Sequence, residues 1–133
     1  MSTLQKGSKD SMGRTSLMYT VIDDKKEIYG LVTEGVDIDA QDNDGRTALH
    51  FAVQSYRVDA ITLLLQAGAR VDLKDKFGNT PLCTAVNNSQ GRGEIIRLLL
   101  KGGAKKNTKN LSGLSALDLA RTIVNYDVVQ FFA

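Results

Sequence analysis

The chain offers few residues whose types and spacing could do chemistry. His50 is its single histidine and Cys83 its single cysteine. One cysteine leaves no internal disulfide and no pair for a zinc site. Gly91-Arg92-Gly93 is glycine-rich, but it lacks the Lys-Ser/Thr step that would hold phosphate and metal. The acidic run Asp37, Asp39, Asp42 and Asp44 lacks the glycine and terminal glutamate that a calcium loop needs at set positions. Local turn bonding is the expected use of Asp39 and Asp42. Asn87-Asn88-Ser89 and Asn110-Leu111-Ser112 fit a glycosylation pattern, but nothing resembling a secretory signal accompanies them. Lys105, Lys106 and Lys109 form a basic cluster with little aromatic interleaving. No nucleophile, base and orienting group converge, so neither an enzyme nor a metal or cofactor site is expected.

Composition points the same way. The 133 residues carry 17 basic and 15 acidic side chains, a net charge of +2, and this balance alone gives no strong case for nucleic acid or a membrane surface. Hydrophobic residues make up 42%, ordinary for one globular domain. The longest apolar runs, such as Leu63-Leu64-Leu65, are far too short to span a bilayer. A cytoplasmic monomer is expected.

The elements that would position any site come from internal repetition. Gly13, Gly45, Gly78 and Gly113 are spaced 32, 33 and 35 residues apart. Two places after each stands a hydroxyl residue (Thr15, Thr47, Thr80, Ser115), and four places after each a leucine (Leu17, Leu49, Leu82, Leu117). A second set, Gly35, Gly68 and Gly103, lies ten residues before the next glycine of the first set. Leu31, Leu64 and Leu99 precede these by four, and Ile28, Ile61 and Ile96 precede the leucines by three. Length varies only between the two helical stretches, so that segment is expected to be a surface loop. In the third unit it reads Asn87 to Gly93. Leu49, Ala52 and Val53 fall at i, i+3 and i+4 of a short first helix. A second helix carries Ile61, Leu64 and Leu65 and ends at Gly68. Ala52, Ala85 and Ala120, with Thr20 in the first unit, are small enough to let neighbouring helices approach. The polar stretch from Val71 to Gly78 suits an extended hairpin. One such unit cannot bury its own apolar face, but a stack can.

These residues resemble the ankyrin repeat. The helix-opening motif is read in Thr47-Ala48-Leu49-His50-Phe51-Ala52 and Thr80-Pro81-Leu82-Cys83-Thr84-Ala85. The helix-closing motif is read in Leu63-Leu64-Leu65-Gln66-Ala67-Gly68-Ala69 and Leu98-Leu99-Leu100-Lys101-Gly102-Gly103-Ala104. The resemblance implies an all-α repeat solenoid of helix-turn-helix units joined by β-hairpin-like loops. It sets a flexible tail at 1–9 and a single domain at 10–133, with repeats at about 10–41, 42–74, 75–109 and a partial one at 110–133. It gives His50 a structural role, bonding backbone beside the hairpin, and makes Cys83 a buried thiol at the equivalent place. The end units are degenerate, and their Tyr19, Tyr29, Phe131 and Phe132 are expected to turn inward.

The resemblance also implies a non-catalytic module that binds another protein through hairpin tips and the concave face of the first helices. The positions are Ser11, Met12 and Arg14; Asn43, Asp44 and Arg46; Lys76, Phe77 and Asn79; and Leu111, Ser112 and Leu114. From the first helices come Ile22, Asp23, Gln54, Ser55, Asn87 and Asn88. Met12, Phe77, Leu111 and Leu114 are apolar where turns prefer polar residues, the makeup of an interaction hot spot. Arg14, Arg46 and Lys76 could ring such a patch and meet an acidic partner. The alternative is that Phe77 and Leu111 fold back onto neighbouring hairpins. The specific role could be that of an inhibitor, such as a bacterial immunity protein neutralising a toxin. A nucleic-acid-associated protein using Arg92 and the hairpin at Lys105–Lys109 is the other reading, and a less favoured one.

Overall fold

Each repeat opens in the same way because its hydroxyl residue caps a helix. In the computed structural model, which describes residues 8–133, the side chain of Thr15, Thr47, Thr80 or Ser115 accepts a hydrogen bond from the backbone three residues on. These caps start α1 (Ser16–Ile22), α3 (Ala48–Gln54), α5 (Pro81–Asn87) and α7 (Ala116–Thr122). Each satisfies one of the amide donors that a helix start leaves without a partner. Three caps are reciprocal: the third helical residue reaches back to the cap's own amide through Met18 Sδ, His50 Nδ1 or Asp118 Oδ2. His50 therefore has a structural task. Its Nδ1 takes the Thr47 N–H at 3.2 Å and lies 2.9 Å from the Thr47 hydroxyl, with the ring buried. Cys83 is buried in the equivalent place, where the Thr80 hydroxyl donates to its sulfur at 3.6 Å.

Thr47→Ala should lower stability by about 1–2 kcal/mol, since it removes the cap and takes the acceptor from the buried His50 backbone N–H. Thermal denaturation of the variant checks this.

The return helices are α2 (Ile28–Thr33), α4 (Val58–Gln66) and α6 (Glu94–Lys101). The fourth repeat has no such α-helix; a 3-10 helix, Val128–Phe132, takes its place. Among the described residues there is one isolated bridge, Lys9 to Thr15, and no strand, so the hairpins are built from turns. The protein is thus the all-α repeat fold that its spacing implied. Residues 1–7 of the expected tail lie outside the described residues.

The contacts divide the described residues into two compact units, 8–70 and 71–133. In the first, α1 packs on α3, and α2 and α4 lie behind them. Its core holds Leu17, Met18, Val21, Ile28, Leu49, Ala52, Val53, Ile61 and Leu64. In the second, α5 packs on α7, backed by α6 and the 3-10 helix, around Leu82, Cys83, Ala85, Val86, Ile96, Leu99, Ala120 and Val128. The small positions Thr20, Ala52, Ala85 and Ala120 are all buried, as close helix approach requires.

Two expectations need correcting. Tyr29 points outward, whereas Tyr19 and Phe131 are half-buried and Phe132 is buried. The loop at 87–93 is also not simply a surface excursion: Ser89 and Gly93 are buried. The rings of Tyr126 and Phe131 lie directly against Gly91 and Gly93, in space that a β-carbon would need. The C-terminal segment covers this loop, which accounts for its glycines without any anion site.

Candidate protein-binding site

The tips are shaped by one residue type at one place, three before each glycine of the first set. Asp10 Oδ1 accepts the amides of Met12 and Arg14, and Asp42 Oδ1 those of Asp44 and Arg46. Asp75 Oδ1 accepts the amides of Phe77 and Asn79, and Asn110 Oδ1 those of Ser112 and Leu114. All eight bonds measure 2.8–3.0 Å. Each is an Asx turn, in which a short polar side chain replaces backbone as the acceptor. The turn bonding expected of Asp42 is present. Asp39 behaves differently: its carboxylate takes the amide of Arg70, 31 residues away, and Asp37 supplies the local turn bond. Asp72 does for Lys105 what Asp39 does for Arg70.

Neighbouring tips are joined within each unit. Asn43 N–H donates to Met12 O and Leu111 N–H to Phe77 O, both at 3.0 Å. Lys9 Nζ reaches Gln41 O, and Lys74 Nζ reaches Lys109 O, at 2.9 and 3.1 Å. The side chains of Asn43 and Asn110 add bonds to Ser11 O and Asn79 Oδ1. The tip backbone is therefore held firmly before any partner arrives.

In the first unit the predicted arginines are engaged. The Arg14 and Arg46 guanidinium carbons lie 5.1 and 4.8 Å from the centroid of the buried Phe51 ring, close enough for cation–π attraction. Arg14 also lies over Tyr19. Asp42, with its side chain 1% exposed, stands 3.3 Å from Arg46 Nε and 3.8 Å from Arg14 Nε, and Asp44 pairs with Arg46 at 2.9 Å. The Tyr19 hydroxyl donates to Asp10. That bond, with the Arg14 and Met12 amides, holds the Asp10 carboxyl below its ordinary 3.8, and the same bond raises the Tyr19 phenol. Backbone and hydroxyl bonds from Ser115 likewise lower Asp118. Met12 is exposed at this tip, as is Asn43.

Asp42→Ala should cost about 2 kcal/mol, through lost turn bonds and a lost counter-charge. Asp42→Asn should cost roughly half as much, because Asn110 shows that asparagine makes the same turn. Urea denaturation of the two variants separates the contributions.

In the second unit the apolar tip residues do not fold back. Phe77 is 59% exposed, Leu111 79% and Leu114 36%. Lys76 Nζ sits 5.1 Å from the Phe77 ring centroid. Asn79 is half-buried in its bond to Asn110. Gln54 and Asn87 end α3 and α5 with exposed side chains, and Ser55 is the half-buried cap residue after α3. Arg92 donates to Ser89 O at 3.1 Å, so it does not join the lysines of the following hairpin as a simple cation cluster.

Sequence reasoning found the turn role of Asp42 but missed that the Asx position recurs in every repeat, and it missed the ring of Phe51. The first was readable, since Asp10, Asp42, Asp75 and Asn110 keep the same spacing as the glycines. The second was not, because nothing in the pattern places Phe51 between two arginines.

The family comparison agrees with this geometry. A model of ankyrin repeats in three copies matches residues 2–75 and 17–110. The chain belongs to the ankyrin-repeat family. Among curated relatives, the B-cell lymphoma 3 protein homolog of Mus musculus is 42% identical over 86 residues, 64% of this chain and 19% of that protein. A putative ankyrin repeat protein of Rickettsia bellii (strain RML369-C) is 35% identical over 101 residues, 74% of this chain and 55% of that protein. Ankyrin repeat domain-containing protein 63 of Mus musculus is 32% identical over 117 residues, 81% and 30%. The chain thus spans between about a fifth and just over half of these relatives. Ankyrin repeats are characteristically non-catalytic modules of protein–protein interaction. Among the described residues no helix is long and apolar enough to cross a membrane.

Proposed function

We propose that this ankyrin-repeat chain binds a partner protein through its hairpin tips, with the exposed ends of α3 and α5 contributing. The observation that carries the reading is the exposure of Met12, Phe77 and Leu111 on turns whose backbone amides are already bonded. Bulky apolar side chains on a stiff frame offer contact area at little ordering cost. Exposed Asn43 flanks Met12 on the first unit's tips as a polar neighbour. Arg14 and Arg46 orient the first unit's tip rather than offering free charge, because Asp42 and Asp44 balance them.

The specific role we favour within this class is an inhibitor, of which an immunity protein that neutralises a toxin is one form. An inhibitor forms a stoichiometric complex that abolishes the partner's activity; an adaptor binds without doing so. The nucleic-acid reading retains Lys105, Lys106 and Lys109 but has lost Arg92 to local bonds.

The test is affinity capture from native lysate, comparing the wild type with a Met12→Ser/Phe77→Ala/Leu111→Ser variant and with Lys25→Ala/Lys26→Ala as a control. One stoichiometric protein kept by the control and lost by the tip variant supports the reading. A partner retained by the tip variant refutes it.

A further inference from the structure

Charge separates along the chain: residues 1–70 hold eight basic and ten acidic side chains, and residues 71–133 hold nine and five. The tips follow this division. Those of the first unit balance Asp10, Asp42 and Asp44 against Lys9, Arg14 and Arg46. Those of the second carry Lys74, Lys76 and Lys109 against Asp75 alone, and one Asp75 oxygen is committed to two turn amides. The same tips hold the exposed Phe77, Leu111 and Leu114. The bond from Leu111 N–H to Phe77 O brings the two turns together, and Gly78 keeps their junction clear of a side chain.

Resting on the tip-binding reading above, we propose that the second unit's tips receive an acidic polypeptide segment bearing a bulky apolar side chain. The apolar residue packs on Phe77 and Leu111, and its carboxylates face the lysines. Charge complementarity selects the acidic partner. The surface chemistry selects protein over nucleic acid, because Leu111 and Leu114 offer no face on which a base can stack and Phe77 is the one aromatic ring at these tips.

The test is a selection of short random peptides displayed against the full chain, followed by affinity measurement of the enriched peptides on three variants. Phe77, Leu111 and Lys109 are exposed, so Phe77→Ala, Leu111→Ser and Lys109→Glu leave the fold in place. Enriched peptides should pair Asp or Glu with Leu, Phe or Trp. Phe77→Ala should weaken them about thirtyfold, the scale of a hot-spot truncation. Lys109→Glu should weaken them several-fold at low salt and less at high salt, as exposed charges are screened. Peptides without acidic residues, yet sensitive to Phe77→Ala, overturn the acidic partner and leave tip binding standing. Peptides indifferent to Phe77→Ala and Leu111→Ser overturn both, as does a selection that enriches nothing. A single-stranded oligonucleotide held at these tips, with no acidic peptide enriched, overturns the proposal in favour of nucleic acid.

Discussion

Leu99→Ala is expected to lower stability by about 2–5 kcal/mol, and Leu64→Ala by a similar amount. Both side chains are fully buried. Each sits in a helix of eight or nine residues, α6 or α4, beside a buried isoleucine three places earlier. Helices this short have no stability of their own in water, so their burial holds them. A protein of this size is stable by only about 5–15 kcal/mol, so either loss is a large share. Urea denaturation followed by circular dichroism checks it. Leu98, half-buried on the same helix, should tolerate alanine better. Midpoints unchanged for Leu99→Ala and Leu64→Ala would contradict the register of the repeats.

Gly78→Ala is expected to cost about 2–4 kcal/mol, far more than an ordinary surface change. Two effects add. The backbone there has φ +77, a left-handed conformation that costs a residue with a side chain about 1–2 kcal/mol. A β-carbon would also stand 2.7 Å from the amide nitrogen of Leu111, the group that donates to Phe77 O. The turns must part, and the bond between them is lost. Gly13→Ala should act alike, since Asn43 approaches Gly13 as closely. Gly35→Ala should lose less, because its left-handed φ faces open space. The difference between these substitutions, read from their denaturation midpoints, isolates tip-to-tip contact from backbone conformation.

Much of this fold was legible because repetition multiplies weak signals. A single Gly-x-Thr-x-Leu is uninformative, but three at matched spacing, with a Ser variant as the fourth, fix the caps, the leucines buried in the first three units and the turns together. Where the repeat weakens, so did the reading. The fourth unit lacks the Ile and Leu of a return helix, and a 3-10 helix forms there instead. Asp39 looked like a turn residue beside Asp42, yet its bond to Arg70 spans a whole repeat, which no local pattern encodes. For the site, the exposed apolar residues could be named from the turn positions they occupy. Which cations are engaged could not. Arg14 and Arg46 looked equivalent to Lys76, but folding sets the two arginines against buried Phe51 and Asp42, whereas Lys76 lies over its exposed neighbour Phe77. The loop at 87–93 was misjudged for the same reason, since its cover comes from Tyr126 and Phe131, more than 30 residues later.

The most direct test of the account is hydroxyl-radical footprinting of the chain with and without its captured partner. Met12, Phe77 and Leu111 are exposed and carry oxidisable side chains. The account predicts that the partner protects these residues, while Tyr29, exposed on α2, stays as reactive as before. Protection of Tyr29 with Met12, Phe77 and Leu111 unchanged would contradict it and place the binding surface on the return helices.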